Sequence, residues 1–145
     1  MKEVRAFAPA SVTNVGCGFD VLGFAIKEPG DEVIVRLKKS KGISIRKIFG
    51  DGGKLSKDIE QNTAGLAAKA FVNEIGFEKG IEIDIYKKMA LGTGLGSSAA
   101  SAVAAVVGLN HLLKTKLSKR ELLKFALEGD SGQKPGRLCN GEFFP

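Results

Sequence analysis

Histidine occurs once in this chain, cysteine twice and tryptophan not at all, and no apolar run is long enough to cross a bilayer. Each shortage narrows the function. Cys17 and Cys139 form no C-x-x-C pair and have no histidine nearby, so neither a zinc site nor a dithiol redox motif is expected, and two reduced thiols fit the cytosol. His111 falls near the end of a helical pattern, where a favourable interaction with the helix dipole is its ordinary role. The longest apolar run, residues 99–109, contains Ser and Gly and is too short for a membrane span. Lys2, Glu3 and Arg5 interrupt the N-terminal apolar residues, so no secretory leader is expected and the protein is read as cytoplasmic. The net charge of +6 is spread over short clusters at residues 38–41, 87–88 and 114–120 without interleaved aromatics. A nucleic-acid face needs a concentrated stripe or stacking residues. The charge is therefore read as solvated surface that also suits small anionic substrates, with neither nucleic acid nor membrane as partner.

What the chain does have is glycine, placed with purpose. At 145 residues, 43% hydrophobic and 26% charged, it is one soluble domain's worth. It is organised around residues 87–101, KKMALGTGLGSSAAS, where a strand pattern ends, three glycines alternate and a small-residue helix begins. Gly92, Gly94 and Gly96 remove side chains at every second position, which lets a ligand approach main-chain N–H groups. Ser97 and Ser98 open a helix whose unpaired first-turn N–H groups and positive dipole end suit an anion, a phosphate above all. No Lys precedes the hydroxyl residue as in a Walker A loop, and the third glycine comes one residue too early for the dinucleotide fingerprint. A plain strand-to-helix turn is the competing reading.

Along the chain, residues 4–8 read as a strand that Pro9 ends. The loop APASVTNVGCGFDVLGFAI, residues 8–26, sets Asn14 and Asp20 six apart around Gly16 and Gly18. Either both side chains turn toward one pocket, or Asp20 closes a local Asx-type turn. Residues 21–26 suit a buried strand, Pro29 and Gly30 a break, and residues 31–38 and 42–48 two alternating strands that pair most simply as a hairpin. Asn62 is an expected N-cap for a helix that Gly76 stops. Ile81, Ile83 and Ile85 mark a strand with one buried face, leading directly into the glycine loop. Residues 97–113 form a helix apolar nearly all round, which asks for burial beneath a sheet or between helices. A capping box of Ser118 and Glu121 opens a last helix expected to stop at Gly129. Residues 130–145 lose periodicity.

These motifs together resemble the GHMP small-molecule kinases, and among them the homoserine kinases. The ATP loop of that family, P-x-x-x-G-L-G-S-S-A-A, is matched by ALGTGLGSSAA with Ala90 in place of the usual Pro, and the N-x-G-x-G-F-D core by residues 14–20. The resemblance implies an α+β fold, the ribosomal-protein-S5-like N-terminal domain of the family, over residues 1–129, with residues 130–145 an atypical tail and the C-terminal domain missing. It implies phosphorylation of L-homoserine by ATP with Mg²⁺ on the route to threonine, without a strong side-chain base. ATP would be held by Ala90, Leu91, Gly92, Thr93, Gly94, Leu95, Gly96, Ser97, Ser98, Ala99 and Ala100, with Lys88 and Asn62 nearby. Asn14 and Asp20 would hold the amino acid, Asp20 pairing with its ammonium group. Ser98 and Asp130 would face Mg²⁺, Asp130 standing where the family places a Glu. The resemblance allows a homodimer of the longer protein. The chain is expected to be an incomplete or interrupted product with little kinase activity and exposed apolar surface. Another small alcohol as acceptor, or a non-catalytic ATP-binding fragment, are the alternatives.

Overall fold

The computed structural model describes residues 2–13, 15–18 and 21–131. Their elements are β1 (Glu3–Val12), a 3-10 turn (Gly16–Gly18), β2 (Phe24–Lys38), β3 (Ile43–Phe49), a second 3-10 turn (Ile59–Gln61), α1 (Thr63–Glu74), β4 (Gly80–Tyr86), α2 (Ser97–Leu113) and α3 (Lys119–Ser131). The strands form one sheet in the order β1-β2-β4-β3, with β3 parallel to β4 and the other neighbours antiparallel. A parallel pair needs a crossover, which α1 supplies.

The expected hairpin between β2 and β3 does not form, because β4 lies between them. The reason is in the residues of β4. Its isoleucines 81, 83 and 85 face the core, and Asp84 on the opposite face is also fully buried. Arg36 of β2 reaches Asp84 at 2.6 Å, and Arg46 of β3 donates to it through Nε at 2.9 Å and also through Nη2. Only a central strand has a neighbour on each side to provide both arginines. A register shift between Ile45 and Lys47 then brings Ile48 opposite Ile85, although strict alternation had put Ile48 and Ile45 on opposite faces.

Two other expected breaks are bridged. Pro9 does not end β1, which pairs on through Val12, and Pro29 and Gly30 do not divide β2. Pro9 lies opposite Gly30 and Ser11 opposite Ala25, so residues 26–29 bulge from the ladder where both prolines lack a donor.

One face of the sheet carries the helices. α2 lies over β1 and β2 and touches α1 and α3 on its other sides. Gly108 lets it come close, since a Cβ there would stand 3.0 Å from Val35 Cγ2 and 3.6 Å from Ala6. The apolar helix thus finds most of its cover within this chain, while the expected exposed apolar surface lies mainly on other segments, at Phe7, Val21, Leu22, Phe24, Phe49, Leu123 and Leu127. Among its large apolar residues Val103 is the exposed one. Asn62 caps α1, its side chain accepting from the N–H groups of Ala64 and Gly65, and Gly76 follows the helix at a positive φ of 63°. Ser118 and Glu121 form the expected capping box. α3 passes through Gly129 to Ser131, because that glycine sits against Ala67 and the Thr63 carbonyl of α1, and Asp130 accordingly belongs to the helix.

Candidate phosphate site

The loop between β4 and α2 takes the conformation that its glycines permit. Gly92, Gly94 and Gly96 have φ of 76°, 71° and 73°, the left-handed region that costs other residues about 1 kcal/mol or more. A Cβ on Gly92 or Gly94 would meet nothing within 4 Å, so the middle of the loop presents bare backbone. Gly96 is the N-cap of α2 and brings no side-chain cap. The first-turn N–H groups of a 17-residue helix are therefore left for an outside acceptor, with the positive dipole end behind them.

Beneath the loop lies a polar cluster. Asp31 falls in the same inward register of β2 as Val33 and Val35, and is fully buried. Its Oδ1 accepts from the backbone N–H of Lys88 at 2.8 Å and Met89 at 3.2 Å, and its Oδ2 from the Ser97 hydroxyl at 2.6 Å and, at 3.5 Å, Ser101. The ammonium of Lys87, 2% exposed, lies 2.6 Å from Oδ2 and donates to the Ser97 carbonyl and the Ser101 hydroxyl. Burial pulls the pKa of Lys87 below its ordinary value, and the hydrogen bond and charge of Asp31 oppose that pull.

The expected site residues fall into three groups. Residues 90–100 form the loop and helix start together, with the Thr93 hydroxyl donating to the Ala90 carbonyl at 2.8 Å. The paired serines divide their work: Ser97 turns its hydroxyl inward to Asp31, while Ser98 is exposed and its carbonyl accepts from Thr63 Oγ1 at 3.2 Å. Asp130 follows Gly129 in α3, where Gly129 packs on Thr63, the residue whose hydroxyl donates to the Ser98 carbonyl. Asn62 is buried, and its amide also donates to the Ser56 carbonyl, so its side chain serves the cap. Lys88 is paired with Glu32 at 2.6 Å and half exposed, so the lysine beneath the loop is Lys87 instead. Asn14 and Asp20 lie outside the described residues. The end of β1 is tied to the loop, since the backbone N–H of Ser11 donates to the Leu95 carbonyl at 3.0 Å.

Sequence reasoning passed over Asp31 and Lys87. The available signal was an acidic residue continuing the inward register of a core strand, which demands a buried partner.

The chain is similar to known proteins in sequence and fold. Residues 62–138 match the family described as GHMP kinases N terminal domain. A homoserine kinase of Chlorobium phaeobacteroides (strain BS1) is 46% identical over 140 residues, covering 90% of this chain and 44% of the relative. One from Methanococcus vannielii is 38% identical over 131 residues, covering 90% of this chain and 43% of its own. The crystal structure of a homoserine kinase from Cytophaga hutchinsonii superposes with a TM-score of 0.88 at 51% identity, over 92% of this chain and 42% of that one. The chain thus spans less than half the length of the curated relatives it matches. With the glycine loop, the helix it opens and the matched residues in agreement, the chain belongs to the GHMP kinase family, of which it carries the N-terminal domain.

Proposed function

We propose that this chain is the nucleotide-holding part of a homoserine kinase, which moves the γ-phosphoryl group of ATP to the side-chain hydroxyl of L-homoserine. The observation that carries the reading is the row of three left-handed glycines opening α2. The 46% and 51% identity to proteins named homoserine kinase favours this acceptor over the alcohols of more distant relatives. In the reaction the bond between the γ-phosphorus and its bridging oxygen breaks while the homoserine oxygen bonds to phosphorus and releases its proton. Positioning and charge neutralisation do most of this work. The loop N–H groups would hold the phosphates, and Asn14 and Asp20 the amino acid, with Asp20 facing its ammonium group. The product would be O-phospho-L-homoserine, made in the cytoplasm on the way to threonine.

Mg²⁺ favours oxygen donors and keeps several of its waters, so one or two protein ligands suffice. The Ser98 hydroxyl and the Asp130 carboxylate are donors of that kind and would hold it. The ion, when bound, neutralises charge on the phosphates. Among the described residues no group of three or more His, Cys, Asp or Glu side chains could hold a metal.

Gly94→Val tests the reading. A side chain there meets open space in the free protein but would stand where phosphate must approach. Calorimetric titration is expected to show ATP binding by the parent chain and none by the folded variant. Unchanged binding by Gly94→Val would overturn the phosphate assignment. For the acceptor, ADP release by the longer protein should depend on homoserine and not on mevalonate or galactose.

A further inference from the structure

We propose that Asp31 is the positioning residue of the phosphate loop, one buried carboxylate that fastens the loop's entry and its exit to the same point. On the entry side it holds the N–H groups of Lys88 and Met89, and on the exit side the hydroxyl of Ser97, the first residue of α2. Between these anchors an added Cβ at Gly92 or Gly94 would meet nothing within 4 Å, and the loop is held besides by the Ser11–Leu95 backbone bond and the Thr93–Ala90 bond, so Asp31 governs its two ends.

The chemistry of the cluster supports a positioning role over a stabilising one. A buried ion pair is weak evidence for stability, because the desolvation of both charges offsets their attraction. Moreover, an ammonium near a helix N-terminus has the unfavourable sign for the dipole. Asp31 offsets that charge, so the pair carries no net charge and the α2 N–H groups remain attractive to an anion. Lys87 extends the clamp, donating from the entry side to Ser97 and Ser101 on the exit side. Every acceptor position of the carboxylate is used within the protein. Asp31 therefore acts on a ligand only through the loop.

The inference rests on the proposed function only for the identity of the ligand, and its test separates the two. Hydrogen exchange of the amides of residues 91–98 is measured on the 145-residue chain without nucleotide, together with the amides of β4 and α1, for the parent and Asp31→Asn. Titration with ATP follows. The expected result is exchange faster by about tenfold or more in the loop, with β4 and α1 little changed, and ATP affinity reduced by a similar factor. Uniform acceleration across the chain, or loop exchange equal to the parent's, would overturn the proposal. If Asp31→Asn does not fold, Ser97→Ala removes one exit anchor and is expected to accelerate loop exchange about threefold or more, since a single neutral-to-charged hydrogen bond is lost. No acceleration in that variant would likewise overturn it. Failure of the parent to bind ATP would remove the kinase reading and leave the exchange comparison to decide the role of Asp31.

Discussion

The backbone N–H of Ser11 and the carbonyl of Leu95 meet at 3.0 Å, joining the end of β1 to the third glycine's turn across most of the chain length described. This bond holds the end of β1 against the glycine loop that opens α2. Two segments far apart in sequence are thereby held together.

Gly96 stands at that junction with φ of 73°, and an added Cβ would lie 2.6 Å from Ser11 Oγ. The serine hydroxyl can rotate aside, whereas the backbone angle cannot be relieved. Gly96→Ala should therefore cost about 1–3 kcal/mol, and Ser11→Ala in the same protein should not restore it. Chemical denaturation of the single and double variants checks this. Full recovery in the double variant would show that the contact, and not the backbone, demands glycine.

In α3, Gly129 presents a case where helix propensity and packing disagree in sign. Replacing an interior helical glycine by alanine ordinarily gains about 0.8–1.0 kcal/mol. Here the new methyl would stand 2.6 Å from Ala67 Cβ and 2.6 Å from the Thr63 carbonyl oxygen, neither at the end of a flexible side chain. Gly129→Ala is expected to lose about 1–3 kcal/mol net. A higher urea midpoint than the parent's would contradict the described contact between α1 and α3.

Acid should weaken the sheet through Asp84. Burial by itself would raise its pKa, but hydrogen bonds from Arg46 and Arg36 outweigh burial and hold it below the ordinary value of 3.8. A carboxylate whose pKa is depressed by folding contributes stability fully above its unfolded value and loses it as pH falls through the folded one. Stability is expected to decline below about pH 4, and Asp84→Asn should be less stable near neutrality with a flatter decline. Denaturation midpoints followed into acid check the slope. An equal slope in both proteins would assign the acid sensitivity to other carboxylates, such as Asp51, which the N–H groups of Leu55 and Gly53 hold low.

The sequence by itself determined the features that depend on neighbours a turn or two away. The Asn62 cap, the Gly76 stop, the Ser118–Glu121 box, the bounds of α2 and the strand carrying Ile81, Ile83 and Ile85 are all local, and each was legible because its periodicity or capping chemistry acts within a few residues. The glycine loop was legible for the same reason, since alternate glycines before a helix dictate bare backbone. Only the tertiary structure decided what lies beside what. A period of two says which side chains share a face but not which strand is next, so the place of β4 between β2 and β3 followed from Asp84 needing arginines from both sides. Pro29 looked like an end because a missing donor is a local fact, while the bulge that absorbs it needs β1 across the ladder. Gly129 looked like a stop because its use as a helix contact depends on α1. Asp31 and Lys87 are distant in sequence, and neither reveals a partner alone. Folding brings them together beneath the loop because burial leaves each charge no other way to be satisfied.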